Sequence, residues 1–224
     1  MKAKIKVTKN GPYIVTGNVK LSEKIITSKG KTYEYQKGRT FVQSEEYALC
    51  RCGKSKDTPF CDGSHTTFDF DGTETASRDS YIERAEVFEG PEELNLLDDN
   101  RCAFARFCHR EGGNAWELIE NSDDPTVREE AIRAACECPS GRLVVRDKSG
   151  KEMELPYTPS IDIIQDPERK VSAGIFVKGK IPIESADGNI YEIRNRTMLC
   201  RCGRSRNKPF CDATHVQCGY LDNL

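Results

Sequence analysis

The sequence predicts an α+β protein assembled from small units, and three observations carry that reading. The chain has 224 residues, enough for one large domain or two to three small ones, but only 37% are hydrophobic against 31% charged, with a mean hydropathy of −0.65. Eleven cysteines are present, and most fall in groups. Residues 50–65 recur without a gap at 200–215, so two related units enclose something different.

The units follow in order. Met1-Lys2-Ala3-Lys4-Ile5-Lys6-Val7 alternates like a strand and lacks the apolar stretch of a signal peptide. Tyr13-Ile14-Val15-Thr16-Gly17-Asn18-Val19 is answered by Ile175-Phe176-Val177-Lys178-Gly179-Lys180-Ile181, and Tyr33-Glu34 by Tyr191-Glu192. Both copies therefore read as β-strands leading into a cysteine loop. Between them, 91–97 and 123–136 are charged and helix-prone. The second opens at Asp124-Pro125 and repeats Val127, Ala131, Ile132 and Ala135 at helical spacing, which predicts a surface helix. Cys138-Pro139-Ser140-Gly141 is a turn, Leu143-Val144-Val145 a short strand and Lys148-Ser149-Gly150 another turn. The stretch 156–170, with three prolines and several acidic residues, reads as a connector. The expected division is 1–85, 86–157 and 158–224.

Composition narrows the function. Thirty-four basic against thirty-six acidic side chains give a net charge of −2, without the basic excess of nucleic-acid binders. No run of eighteen apolar residues suggests a membrane span. A soluble, cytoplasmic protein is expected. An odd cysteine count without an export signal argues against a disulfide framework, and thiols placed by packing would be scattered. Ligation of metal or of an iron–sulfur cluster fits the grouping best.

Each repeat presents Cys-x-Cys, eight residues, then Cys-x3-His: Cys50, Cys52, Cys61 and His65, and again Cys200, Cys202, Cys211 and His215. Three thiolates and an imidazole suit a structural zinc ion. The single residue between the first two cysteines is shorter than the usual zinc spacing, and it suits a binuclear cluster in which those two hold one iron while the third cysteine and the histidine hold the other. The residues alone leave both readings open.

These loops resemble the CDGSH iron–sulfur proteins of the mitoNEET type. The family pattern is Cys-x-Cys, two residues, Ser or Thr, three residues, Pro-x-Cys-Asp, two small residues and His, and both loops satisfy it. The resemblance implies one [2Fe-2S] cluster on Cys50, Cys52, Cys61 and His65 and a second on Cys200, Cys202, Cys211 and His215. Ser55 and Ser205 fill the hydroxyl position, Pro59 and Pro209 the proline position. The second copy departs at Asp212-Ala213-Thr214, where side chains stay small. Single-motif relatives form homodimers, so the tandem chain is expected to be a monomer in which the two β-rich units form an intramolecular pseudo-dimer.

Asp62 and Asp212 are placed to N-cap a short helix after each loop. Phe60 and Phe210 either shield the clusters or serve as core aromatics. His65 and His215 make each site sensitive to acid. Arg51, Lys54 and Lys56 are opposed by Asp57, whereas Arg201, Arg204, Arg206 and Lys208 are unopposed. That difference predicts the higher reduction potential at the second site, unless these side chains are solvated and screened.

In the middle, Cys102, Cys108 and Cys138-Pro139 are similar to the bacterial ferredoxin spacing, with Ala105 in place of the central cysteine. The segment also resembles the divergent mono-cluster ferredoxin domain that accompanies CDGSH modules, which implies a ferredoxin-like insert. Three ligands suit a [3Fe-4S] cluster, or a [4Fe-4S] cluster whose fourth iron takes water, Cys136 or His109. A module that has lost its cluster and serves as a spacer is the competing reading.

The expected function is intracellular electron transfer with an unidentified redox or cluster-acceptor partner. Cluster transfer or redox and pH sensing is the alternative, and a zinc-stabilised interaction module the alternative from another class. Catalysis is not expected, since the chain offers no nucleotide-binding glycine loop and no spare histidine except His109.

Overall fold

Residues 2–91 and 93–222 are described by a computed structural model. Met1, Glu92, Asn223 and Leu224, which fall in the predicted first strand, the opening of the middle module and the end of the last unit, lie outside the described residues.

The first unit contributes β1 (Lys4–Val7), β2 (Tyr13–Thr16), β3 (Lys20–Lys29), β4 (Thr32–Thr40) and β5 (Glu46–Leu49). A short helix α1 (Tyr81–Arg84), closed by a Ser80/Glu83 capping box, leads into the middle module. That module runs β6 (Glu86–Glu89), β7 (Leu94–Asp98), β8 (His109–Arg110), β9 (Gly113–Asn114), α2 (Ala115–Glu120), α3 (Pro125–Cys136), β10 (Leu143–Asp147) and β11 (Glu152–Met153). The last unit contributes β12 (Ser160–Asp166), β13 (Val171–Lys178), β14 (Ile183–Glu184), β15 (Arg196–Leu199) and α4 (Thr214–Gln217).

The outer units exchange strands. One sheet has the order β14-β1-β2-β5 and the other β15-β13-β12-β3-β4, so each contains strands from both ends of the chain. Two parallel pairings make the exchange, β1 with β14 and β12 with β3. One apolar core joins the sheets, with Ile5, Tyr13, Val15 and Leu49 from the first unit and Ile161, Ile175, Val177 and Leu199 from the last. The opposite face of the five-stranded sheet is covered by Ala103, Ala105 and Phe107 of the middle module, packed on Ile164, Ala173 and Phe176. Burial on both faces explains why β13 is buried from Val171 to Val177 and does not alternate.

The repeat is visible in the strands entering each loop: β5 delivers Cys50 and β15 delivers Cys200. The long β3–β4 hairpin is cut down in the last unit to a short return in which Glu184 bridges Ile190 and the buried Tyr191 donates its N–H to the Ile183 carbonyl at 2.9 Å. Helix α3 forms as predicted, with Pro125 in its first turn and Asp124 accepting from the Thr126 N–H at 2.7 Å.

Two predicted elements differ. The described residues of 91–97 are not helical: Leu94–Asp98 is an inner strand between β6 and β10, because Leu94 and Leu96 fill the module's core. Residues 156–170 are not a connector, since they contain the buried strand β12. Its prolines flank the strand, and its acids are neutralised inside the fold. Asp162 meets Lys178 at 2.5 Å and Asp166 meets Arg106 at 2.6 Å.

Candidate metal centres

The repeated loops leave a strand, turn, and close back on it. Cys50 N–H donates to the Pro59 carbonyl and Cys61 N–H to that of Ala48, each at 2.9 Å; the Cys200–Pro209 and Cys211–Met198 bonds repeat this at 2.8 Å. Ser55 and Ser205 lock the turn by donating to the carbonyls of Phe60 and Phe210 at 2.7 Å. The Thr58-Pro59 and Lys208-Pro209 peptides are both cis.

This geometry gathers the candidate ligands two by two. Cys50 Sγ lies 3.7 Å from Cys52 Sγ, and Cys61 Sγ lies 3.5 Å from His65 Nδ1. In the second loop the separations are 3.7 Å for Cys200 and Cys202 and 3.4 Å for Cys211 and His215 Nδ1. Among the described residues no three His, Cys, Asp or Glu side chains converge as a single ion requires. Backbone N–H groups of Gly53 and Ser55 point at the Cys50 sulfur, and those of Gly203 and Ser205 at Cys200, a setting that favours anionic sulfur. The hydrogen bond from the neighbouring thiol, joined by these amides, brings Cys50 down to about 6 and Cys200 to about 7 against the opposing effect of burial.

The two loops meet. A Cβ on Gly53 would stand 2.5 Å from the Cys202 carbonyl oxygen, and one on Gly203 would stand 2.5 Å from that of Cys52. Both glycines are left-handed, with φ of 72° and 75°. Tyr13, from the first unit, directs its buried hydroxyl at the carbonyls of Cys200 and Pro209, at 2.8 and 3.0 Å. The environments nevertheless differ: Cys61 and His65 are part-exposed, whereas Cys211 and His215 are buried. Burial, with Arg201 nearby, holds His215 well below its ordinary value, at about 4.

Several sequence expectations need correction here. Asp62 and Asp212 are not N-caps. Gly63 and Ala213 occupy those positions in left-handed conformation without a side-chain cap. Each aspartate instead fastens two parts of its loop, Asp62 accepting from the N–H groups of Lys56 and Ser64 and Asp212 from those of Arg206 and Thr214. For Phe60 and Phe210, of which the sequence leaves two readings open, the structure shows the core packing, edge-on against Tyr47 and Tyr191.

The arginine inside each Cys-Arg-Cys is buried and not solvated. Arg51 donates to the carbonyls of Gly11, Gly72 and Thr8, and no carboxylate is bonded to it among the described residues. Arg201 donates to the carbonyls of Ala173 and Ile164 and pairs with Asp222. Arg201 is therefore opposed, contrary to the charge count along the loop. An arginine at the same place in both copies was the available signal.

Cys102, Cys108 and Cys138 line one small cavity of the middle module with Ala105, Ser140 and Arg142. The chain reaches it through left-handed residues at Phe104 and Arg106. Phe104 N–H donates to Cys102 Sγ at 3.3 Å, and Ser140 Oγ lies 3.3 Å from Cys138 Sγ. Burial, with the neighbouring Cys138 and Cys102 thiols, raises Cys108 to about 12. Cys136 lies elsewhere, its thiol donating to the Met153 carbonyl at 3.2 Å, and His109 is exposed on β8. Neither lines this cavity. Sequence reasoning missed Arg196, a buried residue of β15 whose guanidinium donates to the carbonyls of Ala135, Cys138 and Leu143 and so seats the Cys138 turn on the last unit. The cavity adjoins the second loop: Arg101 stacks over Phe210 at 4.9 Å, and Cys102 is close enough to push Cys211 further up.

Comparison with known families assigns residues 10–66 and 173–216 to the iron-binding zinc finger of CDGSH type, and residues 92–148 to a divergent 4Fe-4S mono-cluster. No curated protein and no solved structure matches the chain.

Proposed function

Since the chain is an iron–sulfur protein in which two CDGSH-type regions flank a divergent 4Fe-4S mono-cluster region, we propose that it transfers electrons between adjoining redox centres and an external redox protein. The observation that carries this reading is the pairing of donors. Cys with Cys and Cys with His, gathered separately in both loops, suit the two irons of a [2Fe-2S] cluster better than one zinc ion. Cys50, Cys52, Cys61 and His65 would hold the first, and Cys200, Cys202, Cys211 and His215 the second. Cys102, Cys108 and Cys138 would hold a [3Fe-4S] or [4Fe-4S] cluster. Such clusters supply one-electron chemistry, at a raised potential where imidazole replaces thiolate.

The remaining work belongs to the chain's own residues. Backbone amides favour the anionic sulfur of Cys50 and of Cys200, Tyr13 and the two loop glycines fix one CDGSH loop against the other, and Arg101 and Phe210 keep the middle cavity beside the second loop. Strand exchange and the reciprocal approach of Gly53 and Gly203 support an intramolecular pseudo-dimer acting as a monomer, with the middle module as a ferredoxin-like insert. No helix among the described residues is long and apolar enough to cross a membrane. The reading assigns no catalytic residue. Delivery of a cluster from the first site is the second reading, favoured by the part-exposed Cys61 and His65.

The test is anaerobic purification with a visible spectrum and iron, sulfide and zinc analysis. About four irons per chain are expected from the two outer sites, and about seven or eight with the middle one. The reduced protein should then pass electrons to oxidised cytochrome c while keeping its iron. Movement of iron to an apo-ferredoxin, with no electron transfer, would favour delivery. A colourless zinc protein would refute both.

A further inference from the structure

The joint between the middle module and the last unit encloses a cavity of about 20 Å³, room for one water-sized species and for no organic ligand. Four arginines, Arg78, Arg84, Arg101 and Arg194, stand in its wall. The side chains of Arg84, Arg101 and Arg194 are only 16%, 16% and 11% exposed. Arg84 and Arg101 share one oxygen of Asp99, at 3.1 and 2.6 Å. Arg194 stacks on the Tyr81 ring at 3.7 Å. Its nearest carboxylate oxygen, Glu192 Oε2, is 3.9 Å away and already accepts from the Tyr81 N–H at 2.7 Å.

Two donors are left over. Arg84 Nε and Arg194 Nη1 are buried without a hydrogen-bond partner, and such groups in a folded protein call for an unseen partner. The charges are also unbalanced. Three guanidinium groups face the carboxylates of Asp99 and Glu192, one positive charge more than these two balance; the Glu74 carboxylate is taken by the Tyr191 hydroxyl and the Ala186 N–H. Arg78 is matched separately by Asp187 at 3.5 Å, and Asp79 is exposed, with its carboxylate taken by the Ser77 hydroxyl. Burial pushes Arg101 below its ordinary value; Asp99 opposes this, while Arg84 and Arg194 add to it. Water could accept from both free donors, but it would leave the charge in place.

We propose that this cavity binds a single halide-sized monovalent anion, held by Arg84 Nε–H and Arg194 Nη1–H. The anion fastens α1, at the entry to the middle module, to the last unit beside Arg101 and Phe210, the residues preceding Cys102 and Cys211.

Bromide is the probe. Crystals of the full chain grown in sodium bromide should show an anomalous peak between Arg84 and Arg194; a water without anomalous signal at that position overturns the proposal. In solution, the unfolding temperature should rise and saturate with chloride when gluconate keeps the ionic strength constant, as expected for a ligand of the folded state. Arg84→Lys keeps a charge but loses the Nε donor, and should need at least tenfold more chloride for half of the effect. Arg194→Gln should abolish the effect. Equal unfolding temperatures in the two salts, or an unchanged chloride response in the variants, would overturn the site while leaving the iron–sulfur reading intact.

Discussion

Gly53 lies so close to Cys202 that a Cβ on it would stand 2.5 Å from the Cys202 carbonyl oxygen, and Gly203 repeats the approach to Cys52, so neither position has room for a side chain. Both positions are left-handed. Gly53→Ala should therefore combine conformational strain with a backbone clash and cost at least ~3 kcal/mol. Gly63 is also left-handed but has open space around its Cα, so Gly63→Ala should cost only ~1 kcal/mol. Urea unfolding of the two variants measures the difference, and equal losses would show that the loops are not in close contact.

The order of reduction potentials should be the reverse of the one drawn from charges along the sequence. Arg204 and Arg206 are exposed and screened. The buried charges decide: among the described residues Arg51 has no bonded carboxylate, Arg201 is neutralised by Asp222, and the second site is the more buried, which outweighs the half-buried Lys208 beside Cys200. An unneutralised cation and access to water both favour the reduced state. Redox titration followed by electron paramagnetic resonance should place the first site higher, and Asp222→Asn should raise the second.

Acid should remove the first cluster before the second. His65 is part-exposed, while burial keeps His215 neutral down to about 4. As pH falls, the protonation that competes with ligation is therefore resisted at the second site. Bleaching of the visible spectrum should show two phases, the earlier slowed by His65→Cys and the later by His215→Cys. The opposite assignment would break the link between burial and acid lability.

In the middle module, Cys102→Ala, Cys108→Ala and Cys138→Ala should each lower the iron content, whereas Cys136→Ala should not. The first three thiols line one cavity and the fourth faces the Met153 carbonyl. Iron loss in Cys136→Ala equal to that in Cys138→Ala would return Cys136 to the ligand set.

Removing the Tyr13 hydroxyl tests the support given by one unit to the other. Tyr13→Phe leaves the ring in the core but removes the hydroxyl donor from the buried Cys200 carbonyl and from that of Pro209, which keeps the Cys200 N–H, at an expected cost of ~1–3 kcal/mol. Iron should be lost faster from the second site than from the first under a chelator, and loss at equal rates would contradict the assignment.

Spacing along the chain determined the repeat, the candidate ligands that recur in it, the strands leading into each loop and helix α3, because a turn, a cap or a helical period is fixed by residues close in sequence. The tertiary structure decided the rest. That Leu94–Asp98 pairs as an inner strand, that 160–166 crosses the larger sheet, and that Cys136 turns away from Cys138 all depend on partners many residues distant. The same holds for charge. Arg51 and Arg201 occupy the same place in the same motif, but Asp222 reaches only one of them, and only the second loop is covered by the middle module. Local sequence sets which groups can bind a cluster; long-range packing sets how much water and how much uncompensated charge each site keeps.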